Sequence, residues 1–152
     1  MKLRRGQMLV EVVIAISVAV LAILGLVSVT TKSVNNSAAA KRQVEATTFG
    51  TEVMQWIVAQ RDISGWNAVA AKATVSGQQY CFPTSLVNKT MNDWPTPGPC
   101  VGYQLGSPPG FNRDVTLTLT VPAQEVQVDV VVSWIEGSRL VYSKLSQTLD
   151  NY

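Results

Sequence analysis

Histidine is absent from the 152-residue sequence, and this removes the commonest general base and the commonest metal ligand of proteins. No serine or cysteine can therefore be activated by a neighbouring imidazole. The sequence also contains no HExxH, CxxC, GxGxxG or Walker phosphate-loop pattern, the motifs of zinc peptidases, redox thiols and nucleotide-binding folds. We predict that the protein has no enzymatic activity and binds no metal or other cofactor.

Charged residues are also scarce, at 14% of the chain, and the formal net charge is only +2. This charge is too small to indicate a nucleic-acid-binding surface, and no basic stripe with interleaved aromatic residues occurs. Asp114 and Asp129 lie on neighbouring predicted strands and could together bind a cation. We favour the alternative, in which both strand carboxylates are solvated. The two cysteines, Cys81 and Cys100, form an even pair in a chain that looks exported, which favours a disulfide over a thiol or metal site.

The few charges are distributed unevenly at the N-terminus. Lys2, Arg4 and Arg5 stand in the first five positions, whereas residues 7–29 contain one charged residue, Glu11. At about 1.5 Å per residue, a helix over this apolar stretch is long enough for the ~30 Å hydrocarbon core of a bilayer. The basic flank predicts that the N-terminus stays cytoplasmic. An ionisable group in such a segment is costly, so Glu11 indicates a function.

Two ordinary interpretations of this segment leave something unexplained. A cleaved secretory signal has an apolar region of about 7–15 residues and a small-residue cleavage site. Residues 37–40 (Ser-Ala-Ala-Ala) imitate such a site, but the apolar run is too long and Glu11 interrupts its start. An uncleaved signal anchor fits the length but gives no role to Glu11 or to the Gly6-Gln7 pair.

The third interpretation is a resemblance. Residues 4–16 (RRGQMLVEVVIAI) resemble the class III signal of type IV pilins and type II secretion pseudopilins. In that family a membrane-embedded prepilin peptidase cuts after the glycine that ends a basic leader. The resemblance implies cleavage between Gly6 and Gln7, methylation of Gln7 as the new N-terminal residue, and a role in assembly for Glu11, fifth in the mature chain.

Gln7 departs from the family pattern, in which the first mature residue is commonly phenylalanine or another apolar type. A polar residue there is similar to what occurs in pilin-like proteins of Gram-positive and other deeply branching bacteria. An N-terminal glutamine can also cyclise, and Gln7 would then lose the amine that the family methylates.

A filament has a physical use for this carboxylate. Cleavage would release an α-amine with a pKa of about 7.7–8.0, one helical turn from Glu11. An opposed pair ~4 Å apart at an effective dielectric of ~20 gains about 4 kcal/mol of gross attraction, which is similar to its desolvation cost. We therefore expect the pair to set the register between subunits. The alternative is that Glu11 has no role in assembly and only extends its carboxylate to the membrane surface.

The resemblance implies an organisation and a set of partners. We divide the chain into a leader (1–6), a transmembrane and polymerisation helix (7–31) and a globular head (32–152). The expected partners are the membrane, a prepilin peptidase, a membrane assembly platform and other pilin subunits, with DNA only if the filament serves competence or twitching. We expect a minor pilin or pseudopilin, spanning the plasma membrane before assembly and lying in a cell-surface filament afterwards. The rival is a signal-anchored surface binding module that does not polymerise.

The rest of the chain predicts the head. An amphipathic pattern continues the helix to about Asp62. Residues 74–110 are rich in proline and glycine and predict an irregular loop region, in which a Cys81–Cys100 disulfide contributes about 3 kcal/mol in the loop-entropy picture. Period-two alternation over residues 111–149 predicts an antiparallel meander. Together these elements predict a pilin-like α+β fold: a long helix, apolar first and amphipathic later, packed on a sheet of three to four strands.

Overall fold

The structure is a computed structural model that describes residues 4–106, 110–120 and 125–151, with the backbone alone for residues 4–8. Along these residues the elements are α1 (Arg4–Ser64), α2 (Trp66–Ala70), β1 (Gln78–Cys81), a 3₁₀ turn (Met91–Asp93), β2 (Phe111–Thr120), β3 (Glu125–Glu136) and β4 (Arg139–Leu149). The chain divides into unit 1 (Met1–Lys41) and unit 2 (Arg42–Tyr152), and α1 contributes residues to both.

The described strands form one antiparallel sheet in unit 2, in the order β1-β2-β3-β4. A two-residue turn, Gly137-Ser138, joins β3 to β4, and Gly137 has a φ of 63°. Glycine at the first central position is typical of the type II′ turn, whose twist matches that of a hairpin. The predicted joint between β2 and β3 includes residues 122–124, which lie outside the described part.

The core of unit 2 lies between the sheet and the second half of α1. The inward side chains of β3 are all buried: Val126, Val128, Val130, Val132 and Trp134. The helix meets them with Ala46, Val53 and Ile57, each of which is fully buried. The predicted α+β architecture, a long helix packed on an antiparallel sheet, is confirmed.

Gly50 explains how closely the helix approaches the sheet. A Cβ atom at this position would lie 2.5 Å from Leu145 Cδ1 and 3.6 Å from Val132 Cγ2. A glycine inside a helix costs about 1 kcal/mol relative to alanine. The close packing of Leu145 is the structural reason why this helix carries one.

The 74–110 segment requires a correction, because it is not wholly irregular. Strand β1 lies within it and pairs with β2 from Gln78 opposite Leu117 to Cys81 opposite Asp114. The strand is only four residues long, and its period-two signal is too short to stand out among prolines and glycines. The predicted range of three to four strands is thereby resolved as four within the described residues.

Candidate functional site

The apolar part of α1 in unit 1 is exposed along its whole described length. Its large aliphatic side chains, from Leu9 to Val29, are each about half or more exposed to solvent. Burying such a side chain is worth about 1.5–3 kcal/mol. This part of α1 meets the length and composition of a membrane-crossing helix, and none of its most apolar window is buried. It is compatible with a single-pass membrane anchor, as predicted.

Three hydroxyl groups in this segment, those of Ser17, Thr30 and Thr31, donate hydrogen bonds to carbonyl oxygens within the helix. Ser17 Oγ donates a hydrogen bond to Val13 O at 2.8 Å, and Thr31 Oγ1 donates one to Val27 O at 2.9 Å. A bilayer core offers no water to such groups, so side chains that bond to the preceding turn are tolerated there. These hydroxyl groups therefore do not oppose insertion of the segment into a bilayer.

Glu11 is the exception in this segment. It lies on α1, exposed, among aliphatic side chains that include Val10 and Val12. The backbone of Arg4, Arg5, Gly6 and Gln7 belongs to the same helix, but their side chains lie outside the described part, as does Lys2 altogether. The predicted contact between Glu11 and an amine therefore stays a prediction.

Unit 2 contains a buried ion pair that the sequence analysis did not identify. Arg113, on β2, is fully buried, and its Nη1 atom lies 2.7 Å from Glu52 Oε2 of α1. The guanidinium donates three further hydrogen bonds, to the carbonyl oxygens of Phe49 (3.0 Å), Phe82 (3.2 Å) and Thr84 (2.7 Å). One side chain thus ties β2 to the helix and to the loop after β1.

The Glu52 carboxylate completes this connection. Its Oε1 atom accepts a hydrogen bond from Leu86 N at 2.9 Å and a longer one from Ser85 Oγ at 3.4 Å. Partial burial raises the pKa of Glu52, but the Leu86 amide and the Arg113 guanidinium outweigh it and hold that pKa below its ordinary value. One carboxylate oxygen therefore fastens the loop at Ser85 and Leu86, the other pairs with Arg113 of β2, and the cluster stabilises the fold.

Arg113 did carry a signal in the sequence. It occupies an inward position of the period-two pattern, between Phe111 and Val115, both of which are buried. A charged residue at such a position needs an oppositely charged or hydrogen-bonding partner, because burying an unpaired charge is costly. The sequence did not identify that partner, because Glu52 lies 61 residues away.

This pair predicts how stability depends on pH. Because the folded-state pKa of Glu52 is lowered, the carboxylate contributes stability that is present above the ordinary value of 4.5 and lost as the pH falls through the folded-state value. We expect the free energy of unfolding to decrease below about pH 4.5. Glu52→Gln should be less stable at pH 7 and should show a shallower dependence over the acid range.

The measurement is urea unfolding of the full chain in detergent micelles, followed by tryptophan fluorescence. All of the tryptophans, Trp56, Trp66, Trp94 and Trp134, belong to unit 2 and report its unfolding. Glu45→Gln is the matched control, because it makes the same substitution on the same helix at a carboxylate outside the Arg113 cluster, and it should keep the wild-type pH slope. An unchanged pH slope in Glu52→Gln would contradict the assignment.

The predicted disulfide is confirmed. Cys81, at the end of β1, is bonded to Cys100. Asp114 supports the same loop, because its Oδ1 atom accepts hydrogen bonds from Cys100 N at 2.8 Å and Gln79 Nε2 at 3.1 Å. The crosslink and the carboxylate together hold the loop against the sheet.

The structure does not bring Asp114 and Asp129 together as a cation site. In the strand register Asp114 stands opposite Val131, and Asp129 stands opposite Thr116. Asp129 instead accepts a 2.7 Å hydrogen bond from Ser146 Oγ. Within residues 4–106, 110–120 and 125–151, no group of three histidine, cysteine, aspartate or glutamate side chains is placed to hold a metal.

Comparisons with protein-family models, with curated proteins and with solved structures found no match for this chain.

Proposed function

We propose that this chain is a type IV pilin-like subunit, a minor pilin or pseudopilin, of an extracytoplasmic filament of the pilus, secretion or competence class. The observation that carries the proposal is the apolar, exposed segment of α1 with its single carboxylate, Glu11, placed five residues after Gly6. An aliphatic helix of this length needs a lipid or protein environment, and a lone carboxylate in it needs a partner. A filament built from such helices supplies both.

The fold supports the same proposal. Unit 2 is a disulfide-bonded α+β unit that continues directly from the anchor helix. Disulfides persist in oxidising compartments, which agrees with a head outside the cytoplasm. In this proposal Lys2, Arg4 and Arg5 keep the leader cytoplasmic.

Processing is the first step that the proposal requires. We expect a prepilin peptidase to cleave between Gly6 and Gln7, after which the assembly platform inserts the subunit beside other pilins. The test is co-expression of the full chain with a prepilin peptidase, followed by mass spectrometry of the N-terminal peptide from the membrane fraction. The expected peptide starts at Gln7, heavier by one methylene if methylated or lighter by one ammonia if cyclised.

Matched variants make the test specific. Gly6→Leu should stay uncut, whereas Gly25→Leu, the same substitution at a position with open space around it, should still be cut. A chain that keeps Met1 in the presence of an active peptidase would contradict the proposal and favour the anchored binding module. A start at Lys41 would identify a secreted domain.

A further inference from the structure

The outer edge of β4 has no neighbouring strand among the described residues. Glu136 and Arg139 flank a two-residue turn, so they form a hydrogen-bonded pair, and every second residue of β4 after Arg139 bonds to β3. The residues between them direct their N–H and C=O groups away from the sheet: Leu140, Tyr142, Lys144, Ser146 and Thr148. Their side chains are all exposed.

The hydrogen bonds of β2, two strands away from β4, independently show which residues of β4 direct their backbone groups outward. Leu117 O accepts from Thr74 N, and Leu119 N donates to Thr74 O, so the odd-numbered residues of β2 face away from β3. The even-numbered residues of β2 therefore bond to β3, and the even-numbered residues of β3 bond to β4. Among the described residues, no backbone hydrogen bond outside the sheet reaches the outward groups of β4.

The two edges of the sheet differ. Beyond β1 the chain covers its own edge, since Gly98 N donates to Gln79 O at 2.9 Å and Pro97 bridges to Tyr80. Strand β4 is eleven residues long, contains no proline and keeps an unbroken register with β3. Proteins normally shorten, bulge or cover such an edge, because it is a template for another strand.

An apolar groove lies beside this edge, between β4 and the part of α1 in unit 2. It has a volume of about 540 Å³, and its apolar lining comes from Met54, Val58 and Ala59 of the helix and Leu145 of the strand. A strand added to β4 would continue the inner face of the sheet with every second side chain. Those side chains would enter the groove, the arrangement by which edge-binding domains select peptides.

The charge of the edge indicates which strand fits. Strand β4 contains Arg139 and Lys144 and no carboxylate. Lys144 is exposed on the outer face, with its Nζ atom 5.1 Å from the centre of the Tyr142 ring. Two copies of β4 paired about Lys144 would oppose like charges, which is destabilising, whereas an acidic strand would be attracted.

We propose that the outer edge of β4, with the groove beside it, binds an extended segment of a partner protein as a fifth strand, with alternating apolar residues facing the groove and a carboxylate facing Lys144. The site involves unit 2 alone, so it holds whether or not the chain polymerises.

The probe is a fluorescent synthetic peptide of about ten residues in which valine alternates with glutamate and threonine, tested against the full chain in detergent micelles. The matched peptide has lysine in place of glutamate. We expect the acidic peptide to bind at least tenfold more tightly, and amide exchange at Tyr142, Lys144 and Ser146 to slow by at least about tenfold on binding.

Two variants separate backbone pairing from side-chain contact. Tyr142→Pro removes one outward N–H without touching the bonds to β3, and should weaken binding at least about fivefold. Tyr142→Ala keeps that N–H and should bind the peptide more tightly than Tyr142→Pro does. Lys144→Glu, which does not disturb the backbone, should reverse the preference between the two peptides.

Three results would overturn the proposal. The first is an acidic peptide that leaves exchange at Tyr142, Lys144 and Ser146 unchanged. The second is an unchanged preference in Lys144→Glu. The third is self-association of the chain, measured by sedimentation, that Tyr142→Pro abolishes, because it would assign the edge to a second copy.

Discussion

Replacement of Arg113 by methionine is expected to destabilise unit 2 by about 3 kcal/mol or more. The substitution removes the cation that neutralises Glu52 and the donors that reach three backbone carbonyls. Breaking a buried ion pair by removing one partner typically costs about 3–5 kcal/mol. The lower end applies here, because the Glu52 side chain is 30% exposed and can regain water.

The measurement is again urea unfolding of the full chain in micelles, with tryptophan fluorescence. Arg139→Met is the matched control, since Arg139 is exposed in the β3–β4 hairpin and its loss should cost less than about 0.5 kcal/mol. Arg113→Lys keeps the charge but not the planar fork, and should fall between the wild type and Arg113→Met. A cost within about 0.5 kcal/mol of the control would show that the cluster does not support the fold.

A double variant tests whether charge is the reason. In Arg113→Met with Glu52→Gln no carboxylate is left without its cation, so the combined cost should be smaller than the sum of the single costs. In this variant the Leu86 amide keeps an acceptor only if the oxygen of the new carboxamide is oriented towards it. Strict additivity would mean that Arg113 acts through its packing and carbonyl contacts alone.

The elements that depend on neighbouring residues were predictable from the sequence. The apolar stretch up to Val29, the end of α1 near Asp62 and the alternation over residues 111–149 are local patterns, and the structure places a helix and a meander there. The disulfide was predictable because Cys81 and Cys100 are the only cysteines. In each case the information lies within one element or in a single possible pairing.

The features that depend on distant residues were not predictable. Arg113 pairs with Glu52 because β2 packs against α1. Leu145 lies beside Gly50 because β4 packs against the same helix. Asp114, expected to be solvated, instead holds the Cys100 amide. The open edge of β4 follows from the strand order, which alternation of apolar residues does not specify.

Glu11→Val is expected to abolish filament assembly while leaving membrane insertion and cleavage after Gly6 intact. Insertion should not suffer, because removing an ionisable group from a membrane helix lowers the cost of burying that helix. Assembly should fail if, as we propose, the mature N-terminal amine pairs with this carboxylate to fix the register of neighbouring helices. The measurement is the amount of subunit in sheared filaments from cells that contain the assembly platform.

The chemistry of Gln7 decides how this result is interpreted. Gln7→Met cannot cyclise, so it keeps an amine for Glu11 and should assemble at least as well as the wild type. Glu11→Asp keeps the charge on a shorter side chain and should retain part of the assembly that Glu11→Val loses. If Glu11→Val forms normal filaments in both the Gln7 and the Gln7→Met background, Glu11 does not set the register. If it fails in both, the carboxylate is required for assembly, and mass spectrometry of the Gln7 subunit then shows whether the requirement holds after cyclisation. Failure in the Gln7→Met background alone would identify the amine as the partner of Glu11.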